Sequence, residues 1–490
     1  MYDYAGLGNR DRESEIRSQK ENIMYRRIKH IYFVGIGGIG MSGIAEVLLN
    51  LGYMISGSDL ENSDITLRLE ALGARIFHGH RLSNLTVADV VVKSTAVSED
   101  NPEVMEAHRR NIPVIPRAEM LAELLKMKYS IAVSGSHGKT TTTSIISTVL
   151  AHSGLDPTMV IGGRLDSIGS NARLGEGEII VAEADESDGS FLQLNPYIAV
   201  ITNIDREHLD YYPGIGEIKD AFLQFANSVP FYGSVILCGD CDNVRDILPR
   251  MKRKTVTYGI YDGVDFRAAD ISFSGLTSQF TLYYRKTLLG KVEMQVPGLF
   301  NVYNSMAAVA VALELGVKFS TIQEGLSVYK GVHRRLEIKG QTGDVTVVDD
   351  YGHHPTEIKA VLAAAKNAWE NRRLVVVFQP HRYTRTRALF DEFPGSFDEA
   401  GVLILTDIYA ASEKKIKGVH SMNLCKSIKA HGHDDVMYLS SFKEIVDHLT
   451  NIVKPGDVVM TLGAGDVWKI GERLLERLEG RKPENRNQDR

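Results

Sequence analysis

Residues 131–148 read Ile-Ala-Val-Ser-Gly-Ser-His-Gly-Lys-Thr-Thr-Thr-Thr-Ser-Ile-Ile-Ser-Thr. The apolar run 131–133 predicts a strand, and the segment after Lys139 predicts a helix. Between them lies a short turn bearing Gly135 and Gly138. This is the grammar of a phosphate-binding loop. Backbone N–H groups of the turn, and the free N–H groups that start a helix, point at a phosphate chain. Lys139 supplies a mobile positive charge for the outer phosphates, and Thr140 a hydroxyl for Mg²⁺. The common pattern is G-x-x-x-x-G-K-[ST], but five residues before Gly138 stands Val133, so the loop is the shortened G-x-x-G-K-T. A Gly-rich strand-to-helix connection with a solvent-facing lysine would share that pattern, and the flanking chain has to decide.

Upstream, 28–34 predicts a strand, Gly35-Ile-Gly37-Gly38-Ile39-Gly40 a turn, 41–51 a helix and 53–56 a second strand running on to Asp59. A G-x-G-x-x-G turn between strand and helix, with an acid about 20 residues later, is the dinucleotide fingerprint. It reports a diphosphate seated at a helix start without saying which diphosphate. Asp59 either holds a ribose hydroxyl or merely ends a strand. Further β–α units at 75–77, 90–96 and 114–115 make the first domain α/β, over 28–119.

Downstream, strands recur at 179–182, 198–202, 234–237 and 255–258 with helical patterns between several of them, which predicts a mostly parallel sheet. The first of these ends in Glu183-Ala-Asp185-Glu186-Ser-Asp188. Acids at a strand's C-terminal edge sit where a parallel sheet places its ligands. One of them could complete an Mg²⁺ shell begun by Thr140; a solvated acidic loop is the other reading. The strand at 198–202 leads through Asn203 and Asp205 to His208, either a second metal ligand at a strand end or a surface histidine. Short alternating strands over 266–296 add a small antiparallel part, and Pro297-Gly-Leu-Phe300-Asn301-Val-Tyr-Asn304 opens an Ala-rich helix. The second domain is placed at 120–334.

The third domain, 335–490, begins with a strand at 346–348 that ends in Asp349-Asp350-Tyr351-Gly-His353-His354-Pro355-Thr356-Glu357, followed by a helix over 356–369. A strand at 374–378 ends in His381-Arg382-Tyr-Thr-Arg385-Thr-Arg387, and 402–405 and 458–461 complete a second Rossmann-like sheet. Two strand ends bring three arginines and three histidines to one edge, which reads as an anion site or as exposed basic loops.

The gross numbers set bounds on all this. A chain of 490 residues should form about three domains. With 43% hydrophobic and 24% charged residues it is an ordinary globular sequence, and a net charge of −6 gives no basic excess for nucleic acid. Three cysteines are too few for a disulfide framework, which suits a reducing cytoplasm. Cys238 and Cys241 form a C-x-x-C, but Cys425 alone cannot complete a four-sulfur zinc site, so the pair reads as chance. The first 25 residues are polar and mixed in charge, not a signal peptide, and they and the tail after Gly480 read as loosely attached arms. The most apolar run, 31–45, carries five glycines and is too short to span a membrane.

Taken together, the chain resembles the Mur ligases. The Ser-Gly-Ser-His-Gly-Lys-Thr-Thr-Thr loop, Glu-Ala-Asp-Glu-Ser-Asp and Thr-Asn-Ile-Asp-x-x-His-Leu-Asp occur in this order in that family, and the likeness runs over about 28–475. The most telling stretches are 35–46, 183–191, 349–357 and 378–387. The resemblance implies three α/β domains that bind, in order, a UDP-sugar, ATP and an amino acid. It implies that Lys139 binds the outer phosphates of ATP within a loop of Gly135, Ser136, His137, Gly138, Thr140 and Thr141. Thr140 and Glu183 would hold one Mg²⁺, and His208 would help hold another. Asn301 and Asn304 would contact the adenine, with Tyr351 and Arg335 nearby. Gly37, Gly38, Ile39, Gly40, Asp59, Ser94 and Thr95 would hold the UDP part. His353, Arg382 and Arg385 would face the amino acid.

Two departures matter. Phe300 stands where the family usually has His, beside the adenine pair. Several siblings carry a carbamoylated lysine fifteen residues after the metal histidine, and Leu223 stands there, which favours the alanine-adding branch. That branch joins L-alanine to the carboxylate of UDP-N-acetylmuramate in the cytoplasm, with ATP and Mg²⁺; a homodimer is compatible with it. The chemistry is sound on first principles. A carboxylate is a poor acyl donor, whereas an acyl phosphate loses phosphate readily to an attacking amine. Phosphoryl transfer itself needs positioning and charge cancellation. The competing readings are a sibling that attaches a tripeptide to the same UDP-sugar, a nicotinamide dehydrogenase built on the glycine turn, and a nucleotide-gated binding protein.

Overall fold

Three β-sheets, each with its own helices, succeed one another along the chain. The computed structural model describes residues 28–165, 170–209, 211–411 and 413–480; both predicted arms and Asp210 lie outside them. The first sheet has five parallel strands, in the order Arg75–His78, Met54–Asp59, His30–Val34, Val90–Lys93 and Val114–Pro116. His30–Val34 is central, and Ile31 to Val34 are all fully buried, as a strand covered on both faces must be. Its end delivers the glycine turn to the sheet's C-terminal edge.

The second sheet has ten strands. From one edge they are Thr287–Met294, Thr277–Tyr284, Phe266–Ser274, Lys254–Gly259, Ser234–Cys238, Ile198–Ile201, Tyr129–Ser134, Ile179–Glu183, Thr158–Leu165 and Ser170–Arg173. The run from Lys254–Gly259 to Thr158–Leu165 is parallel, and antiparallel pairs close both margins. Tyr129–Ser134 lies between Ile198–Ile201 and Ile179–Glu183. The phosphate loop, the acid run and the Asn203–His208 segment therefore all leave one edge side by side. The third sheet runs Glu337–Thr342, Val345–Asp350, Val458–Leu462, Leu374–Phe378, Val402–Leu405, Val436–Tyr438, parallel except at its first strand. Among the described residues no helix is long and apolar enough to cross a membrane.

Four strands escape the sequence reading, Thr158–Leu165, Ser170–Arg173, Glu337–Thr342 and Val436–Tyr438, and each lies at or next to a sheet edge. Thr158–Leu165 runs into Gly162-Gly163, which reads as a turn. Glu337–Thr342 is an edge strand with little apolar content, and Val436–Tyr438 is an edge strand of only three residues. The hairpin of Thr158–Leu165 and Ser170–Arg173 is the one that matters, because it packs on helix Ile39–Asn50 of the first sheet. Asn171 donates from Nδ2 to the Ile39 carbonyl and, at 3.3 Å, to Ser42 Oγ. A Cβ on Gly43 would lie 3.2 Å from that amide nitrogen and 3.3 Å from Ala172 Cβ, so a glycine lets helix and hairpin touch.

Candidate active site

The phosphate loop leaves Tyr129–Ser134 and enters helix Lys139–His152 through Gly138, whose φ of 82° puts it in the left-handed region. Gly135 has φ 134°, and a Cβ there would stand 2.0 Å from Thr202 Oγ1, so no other residue fits. The next strand's end moulds the loop. Asn203 accepts from the Ser136 N–H (3.1 Å) and His137 N–H (2.8 Å), and its amide donates back to the His137 carbonyl (3.0 Å). Asn301 and Asn304 lie buried behind the loop. Asn304 Oδ1 accepts from Thr142 Oγ1 at 3.1 Å and would be 2.7 Å from a Cβ on Gly138. Asn304 thus supports Gly138, Asn301 donates to the Pro297 carbonyl at 2.7 Å, and Thr141 is buried in the helix's first turn.

Lys139 donates from Nζ to the Gly135 carbonyl (2.6 Å) and to Glu186 Oε1 (2.8 Å). Burial pulls its ammonium down, but the charges of Glu186, Asp185 and Glu183 outweigh that and hold it firmly protonated. Thr140 Oγ1 donates to Glu183 Oε2 at 2.9 Å, and the Gly162 N–H donates to the same oxygen at 2.8 Å. His208 is not at the strand end expected of it. The strand stops at Ile201, and His208 sits in the following loop with φ 54°. That turn carries its Nε2 to 3.4 Å from Glu186 Oε1 and 3.7 Å from Glu207 Oε2. Burial lowers the imidazole's pKa, while the hydrogen bond to Glu186 and the charges of Glu186 and Glu207 raise it further, for a net rise. Glu186 Oε2 and Glu207 Oε1 have no hydrogen-bond partner among the described residues, although both side chains are buried. Buried carboxylate oxygens left without donors call for a cation. The sequence reading did not single out either glutamate, since one was one of four clustered acids and the other was the neighbour of His208. Only their burial sets them apart.

On the third sheet, Val345–Asp350 and Leu374–Phe378 both pair in parallel with Val458–Leu462, so their ends share an edge. His353 and His381 meet there with ring centroids 5.6 Å apart, and Arg385 Nη1 donates to His381 Nδ1 at 3.0 Å. Burial and the Arg385 charge push His353 down to about 4; burial, His353 and the two arginines push His381 down to about 3. Both rings are therefore neutral near pH 7, and Arg382 and Arg385 supply the cationic charge that the sequence reading shared among arginines and histidines. His353 Nδ1 stands 3.0 Å from the Tyr351 carbonyl oxygen, which places its proton there and leaves Nε2 as an acceptor. Tyr351 lies against the guanidinium groups of Arg334 and Arg335, at 5.2 and 5.3 Å.

One cavity of about 910 Å³ joins these parts. Ile39, Arg68 and Thr95 line it from the first sheet; Lys139, Thr140, Glu183, Glu207 and His208 from the second; His353, Arg382 and Arg385 from the third. Arg335 and Tyr351 line it too. In the glycine turn, Asp59 Oδ2 accepts the Gly37 N–H at 2.8 Å, Gly38 caps the helix, and a Cβ on Gly35 would meet Ser94 Cβ at 3.1 Å. Asp59 and Ser94 thus shape the turn. Gly40 lies against Arg117, which reaches to 3.6 Å from Asp185 and so links the turn to the acid run. Arg68, Asn171 and Glu207 are lining or bridging residues that carry no sequence motif. Packing of one domain on the next reveals Arg68 and Asn171, and burial reveals Glu207.

Comparison with known proteins agrees with this geometry. Residues 30–129 match the Mur ligase family catalytic domain, 133–312 the Mur ligase middle domain, and 334–465 the Mur ligase glutamate ligase domain. The UDP-N-acetylmuramate–L-alanine ligase of Syntrophus aciditrophicus is 65% identical over 458 residues, 94% of this chain and 95% of that protein. The crystal structure of the UDP-N-acetylmuramate–alanine ligase of Thermotoga maritima superposes with a TM-score of 0.79 at 30% identity, covering 93% of this chain and all of that one. A murein peptide ligase of Psychrobacter arcticus follows with a TM-score of 0.68 at 26% identity, covering 92% and 98%.

Proposed function

This chain belongs to the Mur ligase family, and we propose that it joins L-alanine to the carboxylate of UDP-N-acetylmuramate, with ATP becoming ADP and phosphate. The reaction is an early cytoplasmic step of peptidoglycan synthesis, serving cell shape and division. The observation that carries this reading is the single cavity, in which a phosphate loop, a buried acid–histidine group and a pair of arginines face one another from three sheets. In this reading residues 28–119 hold the UDP-sugar at the glycine turn and Thr95. Residues 120–334 hold ATP, and 335–490 hold alanine. A homodimer is compatible with it.

The residues fit Mg²⁺. Thr140 and Glu183 offer adjacent oxygens, and Glu186, Glu207 and His208 bring ligand atoms within 4.8 Å of one another. Hard oxygen donors with unsatisfied charge suit a hard divalent cation. Thr140 and Glu183 would hold one ion, and His208 would help hold a second; when bound, Mg²⁺ would neutralise charge on the phosphates. The chain's own groups do the rest. Lys139 grips the outer phosphates and draws charge off the phosphoryl group as it passes to the lactyl carboxylate. Arg382 and Arg385 hold the alanine carboxylate, and a guanidinium does so with two parallel hydrogen bonds. His353 Nε2 accepts an N–H of the incoming amine and aims its lone pair at the acyl carbon. The adenine contact implied for Asn301 and Asn304 stays part of the family expectation, with Tyr351 and Arg335 at the cavity wall as its nearer candidates.

The test is phosphate release from ATP with UDP-N-acetylmuramate and L-alanine supplied together or one at a time. Release only with all components is the expected result. Turnover with a tripeptide but not with alanine would make the chain the recycling sibling. ATP binding without turnover would make it a binding protein.

A further inference from the structure

His137 is counted among the phosphate-loop residues, yet its side chain is not part of the cavity lining. Its Nε2 lies 2.9 Å from Asp205 Oδ2, in the loop beyond Ile198–Ile201. Its Nδ1 lies 3.5 Å from Glu357 Oε1, in helix Pro355–Ala368 of the third sheet. Thr356 Oγ1, from that helix, donates to the same Asp205 oxygen at 2.9 Å, and the His354 ring packs on that of His137 at 5.0 Å. Four side chains thus tie the phosphate loop to the domain that carries the arginines. The tie reaches the alanine side directly. Glu357 Oε2 accepts the backbone N–H groups of His353 (3.0 Å) and His354 (3.3 Å), and its other oxygen stands 3.7 Å from Arg335. One carboxylate therefore holds the backbone of His353 and, from the other side, faces the phosphate loop. His137 is only 14% exposed, and the two carboxylates keep it protonated, up to about 10, against the effect of burial.

We propose that His137 is a positioning residue that latches the third domain onto the phosphate loop, so that the acyl phosphate forms only in a closed cleft that excludes water. This rests on the ligase reading above. The intermediate has two fates. Attack by the alanine amine breaks the acyl C–O bond to phosphate and forms the amide, with one phosphate released per amide. Attack by water breaks the same bond, returns the free carboxylic acid and also releases phosphate, so that ATP is hydrolysed with no product. A latch governs the ratio of these fates; a residue that only binds ATP does not.

Two variants separate the possibilities. His137→Gln keeps an N–H donor but loses the charge. Thr356→Val keeps the shape of an exposed side chain and loses only the hydroxyl bond to Asp205, so the fold is not at risk. Weakening such a contact shifts a closed-to-open ratio about tenfold, about 1.4 kcal/mol. Phosphate released per amide formed should therefore rise above one in both variants, further in His137→Gln, with the KM for ATP within about twofold of the parent. A ratio that stays at one in both variants overturns the latch. So does a raised KM for ATP with the ratio unchanged, which would return His137 to the nucleotide. If the parent protein forms no amide at all, the ligase reading fails instead. The latch is then read by small-angle scattering with a non-hydrolysable ATP analogue. Expansion of both variants relative to the parent supports it, and identical radii overturn it.

Discussion

Glu186 holds Lys139 at 2.8 Å and stands 3.4 Å from His208, so one buried carboxylate serves the lysine of the glycine loop and the histidine together. The place of Lys139, Thr140 and Arg382 on the cavity wall was legible from sequence. Glu186 and Glu207 were not, because an acid beside other acids looks the same whether it faces water or a buried site. The charge of the histidines was also illegible, since it depends on burial and on the nearness of Arg385. The alanine end gives a direct test. Arg382→Lys keeps the charge but loses the planar fork. Hydrogen bonds to charged groups contribute roughly 1.5–3 kcal/mol, so the KM for alanine should rise about tenfold or more. Steady-state kinetics with each substrate varied in turn checks this. A rise in the KM for ATP alone would assign the arginines to the phosphates.

At the scale of elements, the connection from the second sheet to the third is clamped. Arg334 and Leu336 have φ of 60° and 47°, a region where non-glycine backbone is strained. The strain is held by bonds onto the third sheet. The Leu336 N–H donates to Asp350 Oδ2 at 2.8 Å, and the Arg334 N–H to Glu337 Oε2 at 2.8 Å. The Arg334 guanidinium reaches Asp349 at 2.7 Å and the Gly463 carbonyl at 2.6 Å. Burial raises Asp350 to about 6, more than Arg335 and two backbone N–H groups lower it. The sign follows from proton counting. With an unfolded value of about 3.9, the native state binds the extra proton between about pH 4 and pH 6. This contribution is complete below about pH 4, is lost as pH rises through about 6, and spans about 3 kcal/mol at most. Asp350→Asn removes the titration. Its stability difference from the parent, by denaturant unfolding, should shift in the variant's favour between pH 4 and pH 6 and stay level above. A difference independent of pH would place Asp350 at an ordinary value. Strands with continuous apolar runs were legible at this scale. The linker and the Thr158–Leu165 hairpin were not, because their conformations are set by partners far along the chain.

At the scale of the molecule, the sequence reading reached three α/β units in order and about half of the residues that line the cavity. It did not show how one unit meets the next, since contacts such as Asp205 to Thr356 or Asn171 to Ile39 join segments more than a hundred residues apart. That arrangement predicts independence of the sites. The glycine turn belongs to the first sheet and the phosphate loop to the second, and direct contacts between the two units run through Arg117 with Asp185 and Asn171 with Ile39, while Lys139 bonds only within the second unit. Lys139→Ala removes the cation that would neutralise the transferring phosphoryl group. Loss of one such donor costs on the order of 3 kcal/mol, or about a hundredfold in rate. Ligation should therefore fall by about that factor or more, while the affinity for UDP-N-acetylmuramate, measured by calorimetry, stays within about twofold. Glu186 then keeps His208 as its neighbour but loses a buried cation, so the variant should unfold at lower denaturant than the parent while its circular dichroism spectrum shows that it still folds. Greatly weakened UDP-sugar binding in a folded Lys139→Ala protein would mean that the first domain does not carry that site alone.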